Sequence, residues 1–186
     1  WASEERFRVD VHLLQGLCNV REASARLSEI ADICICEITE MARLDMRRRY
    51  GQLPEEQFAV IGLGRLGSQQ LTSVSDLDLM FVYDSPSNTR SDGQQTLEAG
   101  RYYNRLSQLI ISWLSVQTAK GKLFDVDIRL RPDGKSGSLA IHIHRLSAYF
   151  TSEAWPWEYC AFLKARTINT GKTFNTSLQQ TLLNIK

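Results

Sequence analysis

No stretch of this 186-residue chain approaches the ~20 consecutive apolar residues that a membrane-spanning helix needs, and no charged-then-apolar leader opens it. A membrane is therefore not an expected partner, and the cytoplasm is the expected compartment. Charge of one sign is also scarce: 22 Lys and Arg against 21 Asp and Glu leave a net charge of +1. That balance gives no electrostatic footprint for a polynucleotide, so nucleic acid is not an expected partner either. The four cysteines, Cys18, Cys34, Cys36 and Cys160, form no C-x-x-C pair and read as free thiols of a reducing compartment. A P-loop, a serine–histidine–aspartate arrangement, internal repeats and low-complexity tracts are all missing. What is left, 43% hydrophobic and 23% charged residues, describes an ordinary globular chain with one well-buried core and room for a helical extension. It opens on Trp1 and ends without an evident stop, which suggests a domain of a longer polypeptide.

The chemistry is concentrated in residues 58–84, FAVIGLGRLGSQQLTSVSDLDLMFVYD. A strand-like run ends in a glycine-rich turn at Gly67 and Ser68, and Asp76 and Asp78 open a second apolar strand eight residues later. Residues i and i+2 of a strand share a face, so the two aspartates form a pair of hard oxygen ligands. Asp127 lies in a later strand-like segment at 123–130. Together the three carboxylates suit Mg²⁺ and a nucleoside triphosphate, and hence an enzyme that moves a nucleotidyl group. Two ions ~3.5–4 Å apart can activate an attacking oxygen and hold pyrophosphate. Asp76 and Asp78 would carry one ion and share the second, which Asp127 would complete; Mn²⁺ is an expected substitute. Asp125 is in phase with Asp127, so spacing alone leaves the third ligand open between them.

At Gly67 the chain can approach phosphate oxygens without a side chain in the way, and the Ser68 hydroxyl with nearby backbone N–H groups can bind them. Arg129 and Arg131 alternate with Asp127, and their planar forks suit phosphate. The competing reading is that they only neutralise the aspartates. Gly62, Gly64 and Gly67 also fit G-x-G-x-x-G, with Asp84 where a ribose acid would stand. Against that, 68–75 offers only about two helical turns, and its second half, Thr72-Ser-Val-Ser75, is a poor helix former.

The remaining elements frame this core. Residues 1–51 read as an N-terminal helical segment. In it Ser3 caps a helix striped by Phe7, Val11, Leu14 and Leu17, and Asn19 with Glu22 makes a capping box for a second. Residues 52–145 read as the catalytic core, with a loop at 85–95, a helix at 97–117, a turn at 131–134 and a strand at 138–144. Residues 146–186 read as a C-terminal helical segment broken at Pro156 and Gly171. His142 and His144 alternate but lack a third metal ligand nearby, and Trp155 and Trp157 read as packing residues before an adenine platform.

In order along the chain, Gly64-Arg-Leu-Gly67-Ser68, Ser75-Asp-Leu-Asp-Leu79, Val126-Asp-Ile-Arg-Leu-Arg-Pro132 and Glu153-Ala-Trp-Pro-Trp-Glu158 resemble bacterial glutamine-synthetase adenylyltransferase. That family adds AMP to a tyrosine of glutamine synthetase with one half and removes it with the other. The resemblance implies an α+β (mixed α/β) chain of the nucleotidyltransferase, DNA polymerase β-like, fold: a small mixed sheet flanked by helices. It implies ATP as substrate, Mg²⁺ as cofactor, glutamine synthetase as protein substrate and the PII signalling protein as regulator. Ser91-Asp-Gly93 and the Trp-rich stretch point to the transferring, C-terminal half. Ser136-Gly137 and Lys164-Ala-Arg166 are similar to the removing half, which would use phosphate to release ADP. Ser68 stands where many members have a second glycine. Two rivals remain: a nucleotidyltransferase with another acceptor, and a nucleotide sensor without catalysis.

Overall fold

The computed structural model describes the chain except residues 87, 119, 120, 133, 135, 136, 171 and 186. The features expected at Asp133, Ser136 and Gly171 fall on three of these and lie outside the described residues. Two helices come first, α1 at Ala2–Leu14 and α2 at Val20–Tyr50. The start of α2 is fixed by its capping box: Asn19 Oδ1 accepts from the Glu22 N–H and Glu22 Oε2 from the Asn19 N–H, each at 3.0 Å. Its end carries Arg47, Arg48 and Arg49 against the helix dipole and stops at Gly51, whose φ of 78° suits glycine. For α1 the expectation is corrected. Its N-cap is Trp1, not Ser3. Phe7, Leu14 and Leu17 are exposed, and Val9, with Ala2 and Leu13 beside it, packs into the core. Positions 2, 9 and 13 share helical phase just as the expected stripe does, and contact with α2 chose between the two faces.

The sheet strands are β1 (Gln57–Gly62), β2 (Leu77–Asp84), β5 (Val126–Asp127), β6 (Ala140–His142) and β7 (Arg166–Thr170), while β3 (Gln117–Thr118) and β4 (Gly121–Lys122) form a separate small hairpin. The short α3 (Gly64–Gly67) follows β1, and α4 (Ala99–Leu114) follows β2. After β6 come α5 (Ile143–Ser152), α6 (Pro156–Phe162) and, beyond β7, α7 (Lys172–Ile185). Strand order is β5-β2-β1-β7, with β6 also on β2. β1 pairs with β2 antiparallel, Gly62 opposite Leu79, whereas β5 and β6 run parallel to β2. The antiparallel β1–β2 pair rules out the dinucleotide reading, which requires a parallel strand–helix–strand unit.

Alternation along the strands builds two cores. Phe58, Val60, Leu79 and Phe81 face α1, α2 and α4, while Ala59, Ile61, Met80 and Val82 face α5, α6 and α7. The first core is organised around stacked rings, with Phe58 5.6 Å from Tyr103 and Tyr83 4.7 Å from Tyr103. Burial pushes the Tyr102 hydroxyl up to about 12, as expected for a ring closed inside this layer.

Four further expectations are revised. The strand at 123–130 is only two residues long, and beyond it the Arg129 backbone N–H and guanidinium turn onto the Asp127 carboxylate. The strand at 138–144 ends at His142, whose side chain accepts from the His144 N–H and caps α5. The segment 146–186 is not helical throughout: Arg166–Thr170 is β7, antiparallel to β1 with a bulge at Val60/Ile61. Its β-branched Thr167 and Ile168 suit a strand. Trp155 and Trp157 are exposed rather than packed.

The loop after β2 is locked onto the end of α2. The Gly93 N–H donates to the Tyr50 carbonyl at 3.1 Å and Asp92 Oδ1 accepts from the Gln52 N–H at 2.6 Å. A Cβ on Gly93 would stand 2.3 Å from the Tyr50 carbonyl carbon. Gly93→Ala is expected to lower the free energy of unfolding by about 1–3 kcal/mol through this clash, measured by urea denaturation.

Candidate functional site

Three chain segments converge at the N-terminal end of β2. The ladder between β2 and β5 pairs Leu77 with Val126 and Asp78 with Asp127. Residues opposite each other in register point the same way, so Asp78 and Asp127 are direct neighbours, and Asp76 is in phase with Asp78. The Leu77 N–H to Asp125 carbonyl bond at 2.8 Å extends the ladder by one link. Asp76 is exposed, and Asp78 and Asp127 are half-buried.

The glycine turn leans over this pair. The Leu63 N–H donates to the Asp78 carbonyl at 2.9 Å. Gly64, at φ 51°, brings its bare Cα so close that a Cβ would lie 2.3 Å from Asp78 Oδ2. The glycine of closest approach to the acids is thus Gly64, which the sequence reading named only within its glycine motifs while giving the close approach to Gly67. The available signal was its place directly after β1, where the chain must reverse. Gly67 is buried, and its missing side chain makes room for the Lys164 carbonyl, 2.2 Å from where a Cβ would be. Ser68 Oγ lies 3.1 Å from the Gly64 carbonyl and closes the turn locally.

Charge around the acids is shared unevenly. The Asp78 carboxyl is pushed up by burial, then by the Asp127 and Asp76 charges, with Arg129 and Arg65 pulling it back. Arg129, itself exposed, grips Asp127: Nε lies 2.8 Å from Oδ2 and the backbone N–H 2.8 Å from Oδ1, with Nη2 also on Oδ2. Arg131 is placed differently from expectation. It is 7% exposed and donates to the Ile128 and Gly137 carbonyls, so the two arginines do not share one task. Asp125 pairs with Lys122 and is turned out to solvent, since the strand is too short to hold it in phase with Asp127. An open hollow of about 360 Å³ lies here, lined by Asp76, Val126, Asp127, Ile128, Arg129 and Arg131. Among the described residues no three His, Cys, Asp or Glu side chains form a ready metal cage.

The other candidates lie elsewhere. His142 spends one ring nitrogen on the His144 N–H at 3.2 Å and faces the Ser85 carbonyl with the other at 3.1 Å, which leaves no nitrogen for a metal.

Residues 2–181 match the family model described as glutamate-ammonia ligase adenylyltransferase. The chain belongs to that family. It is 37% identical over 175 residues to the bifunctional glutamine synthetase adenylyltransferase/adenylyl-removing enzyme of Brucella melitensis, covering 94% of this chain and 18% of the relative. The proteins of the same name from Stenotrophomonas maltophilia and Rhizobium meliloti are each 39% identical, over 173 and 168 residues, covering 90% of this chain and 19% and 17% of their own lengths. The chain therefore spans about a fifth of the family members it matches. Among the described residues no helix is long and apolar enough to cross a membrane.

A stability consequence follows from the crowded carboxylates. A carboxyl whose folded pKa is raised costs stability while ionised, and that cost disappears as pH falls through the folded value, because the folded state takes up its proton first. In metal-free protein near neutral pH, Asp78→Asn is expected to raise stability by roughly 0.5 kcal/mol after solvent screening. The gap should close as pH drops into the carboxylate range. Superimposable denaturation curves at neutral pH would show that no such crowding exists.

Proposed function

We propose that this chain is the nucleotidyltransferase domain of a glutamine-synthetase adenylyltransferase, with the DNA polymerase β-like arrangement of that fold. It moves AMP from ATP to a tyrosine hydroxyl of glutamine synthetase. The observation that carries the reading is the register of β2 on β5, which sets Asp78 beside Asp127, with Asp76 on the same face and Gly64 closing over them. Family membership supports the same reaction class. Control by the PII signalling protein and a cytoplasmic setting belong to the proposal.

The residues fit a hard divalent cation. They offer carboxylate oxygens only, and the upward push on Asp78, from burial first and then from the Asp127 and Asp76 charges, includes a repulsion of the kind that a dication relieves. When bound, Mg²⁺ or Mn²⁺, as one ion or two, supplies charge neutralisation at the reacting phosphate and the leaving pyrophosphate. Asp76, Asp78 and Asp127 would hold it. Asp127 orients the incoming tyrosine hydroxyl. Arg129 neutralises Asp127 in the free protein; being exposed, it can exchange that carboxylate for phosphate oxygens. The turn from Gly64 to Ser68 presents backbone N–H groups and the Ser68 hydroxyl to the triphosphate, and Gly67 keeps that turn seated on the Lys164 carbonyl. Arg131 supports the hollow from within by holding the Ile128 and Gly137 carbonyls.

The test uses ATP labelled at the α-phosphate, Mg²⁺ and unmodified glutamine synthetase. Label is expected on a tyrosine, with Asp76→Asn, Asp78→Asn and Asp127→Asn each lowering the rate by about 10²–10³-fold or more. Full turnover in the Asp78 variant would end the metal reading. Phosphate-dependent release of ADP from adenylylated glutamine synthetase, without transfer, would assign the chain to the removing half.

A further inference from the structure

Irregular chain leads into each side of the acid cluster. Residues 72–76 deliver Asp76 to β2, and residues 123–125 deliver Asp127 to β5. The ladder that joins them pairs only Leu77 with Val126 and Asp78 with Asp127. A ladder this short cannot define its own geometry, since strand pairing gains stability over several residues. The two approaches need an outside tie.

Arg6 of α1 is that tie. One of its terminal nitrogens donates to the Ser73 carbonyl at 2.8 Å and the other to the Leu123 carbonyl. Its guanidinium lies over the Phe124 ring, 4.8 Å from the centroid. Asp10, one helical turn further on, accepts from the Ser73 hydroxyl. Ser73 stands three residues before Asp76 and Leu123 four before Asp127. Among the described residues, Arg6 is the side chain whose hydrogen bonds reach both approaches. Its planar fork holds two acceptors at a fixed separation, which a lysine ammonium on a flexible stem does not do. The helix has its own anchor in buried Val9, so the two hydrogen bonds of Arg6 are not needed merely to keep α1 in place.

We propose that Arg6 is a positioning residue for the metal-binding acids: by bridging the Ser73 and Leu123 carbonyls it sets the separation of Asp76 from Asp127. The proposal rests on the reading of those acids as metal ligands given above. The sequence carried no hint of it, because Arg6 lies some 70 residues before Asp76.

The test is a Mn²⁺ titration of the natural polypeptide, followed by the electron paramagnetic resonance signal of free Mn²⁺, for the parent, Arg6→Lys, Arg6→Met and Asp78→Asn. Thermal unfolding of each is recorded in parallel. Arg6→Lys, which keeps length and charge but loses the fork, is expected to bind Mn²⁺ about 10-fold more weakly or worse, with its unfolding temperature little changed. In the transfer assay kcat should fall while KM for glutamine synthetase stays at the parent value. Parent-like Mn²⁺ binding by Arg6→Lys would overturn the proposal, even if Arg6→Met fails to fold. Parent-like binding by Asp78→Asn would instead remove the metal reading itself, and the role of Arg6 with it.

Discussion

Like charges set directly opposite each other on neighbouring strands oppose pairing, and this fold places Asp78 opposite Asp127 at the end of a ladder only two residues long. The arrangement persists because other parts of the chain hold it from outside. β1 fixes β2 from Leu79 to Asp84 through the antiparallel register from Gln57–Asp84 to Gly62–Leu79. The glycine turn clamps the Asp78 carbonyl, and Arg129 offsets the charge on Asp127. The site is thus a small electrostatic cost carried by a large apolar scaffold, the usual direction of trade between a functional site and its support.

That scaffold works because its two faces are independent. The aromatic layer of Phe58, Phe81 and Tyr83 meets α2 and, through Tyr103, α4, and the aliphatic layer of Ile61, Met80 and Val82 meets the helices after β6. Each fully buried large side chain contributes about 1.5–3 kcal/mol, so the strands that carry the acids are anchored on both sides. Asp32 and Arg166 link the two ends of the chain, with Arg166 Nη1 2.8 Å from Asp32 Oδ2 and Nη2 3.1 Å from the Leu66 carbonyl of the turn. A residue from β7 therefore helps hold the turn that overhangs the acids.

Much of this was legible in the sequence, and the exceptions have identifiable causes. The aspartate pair was visible because strand periodicity puts i and i+2 together, and Asn19 with Glu22 announced the start of α2 because a capping box is a local motif. Reading failed where non-local contacts decide. Two faces of α1 have equivalent helical phase, and only packing selects Val9 over Phe7. Arg129 and Arg131 alternate in sequence, yet the strand ends at Asp127, so alternation no longer governs where they point. The closeness of Gly64 to Asp78 depends on how the turn folds back over β2, which composition does not encode. Arg6 meets its two carbonyls only once the chain has closed on itself.

The place of β7 has a consequence for how this unit can be cut from a longer polypeptide. It lies next to β1, beyond two helices that would pass for an appendage. A fragment trimmed at the start of that helical stretch would keep every candidate catalytic acid and still leave β1 with a bare row of amide and carbonyl groups. An open edge on a strand as apolar as Phe58–Ile61 invites pairing with a second molecule. The working unit therefore extends past the last chemistry-bearing residue, and its solubility rests on a strand that does no chemistry at all.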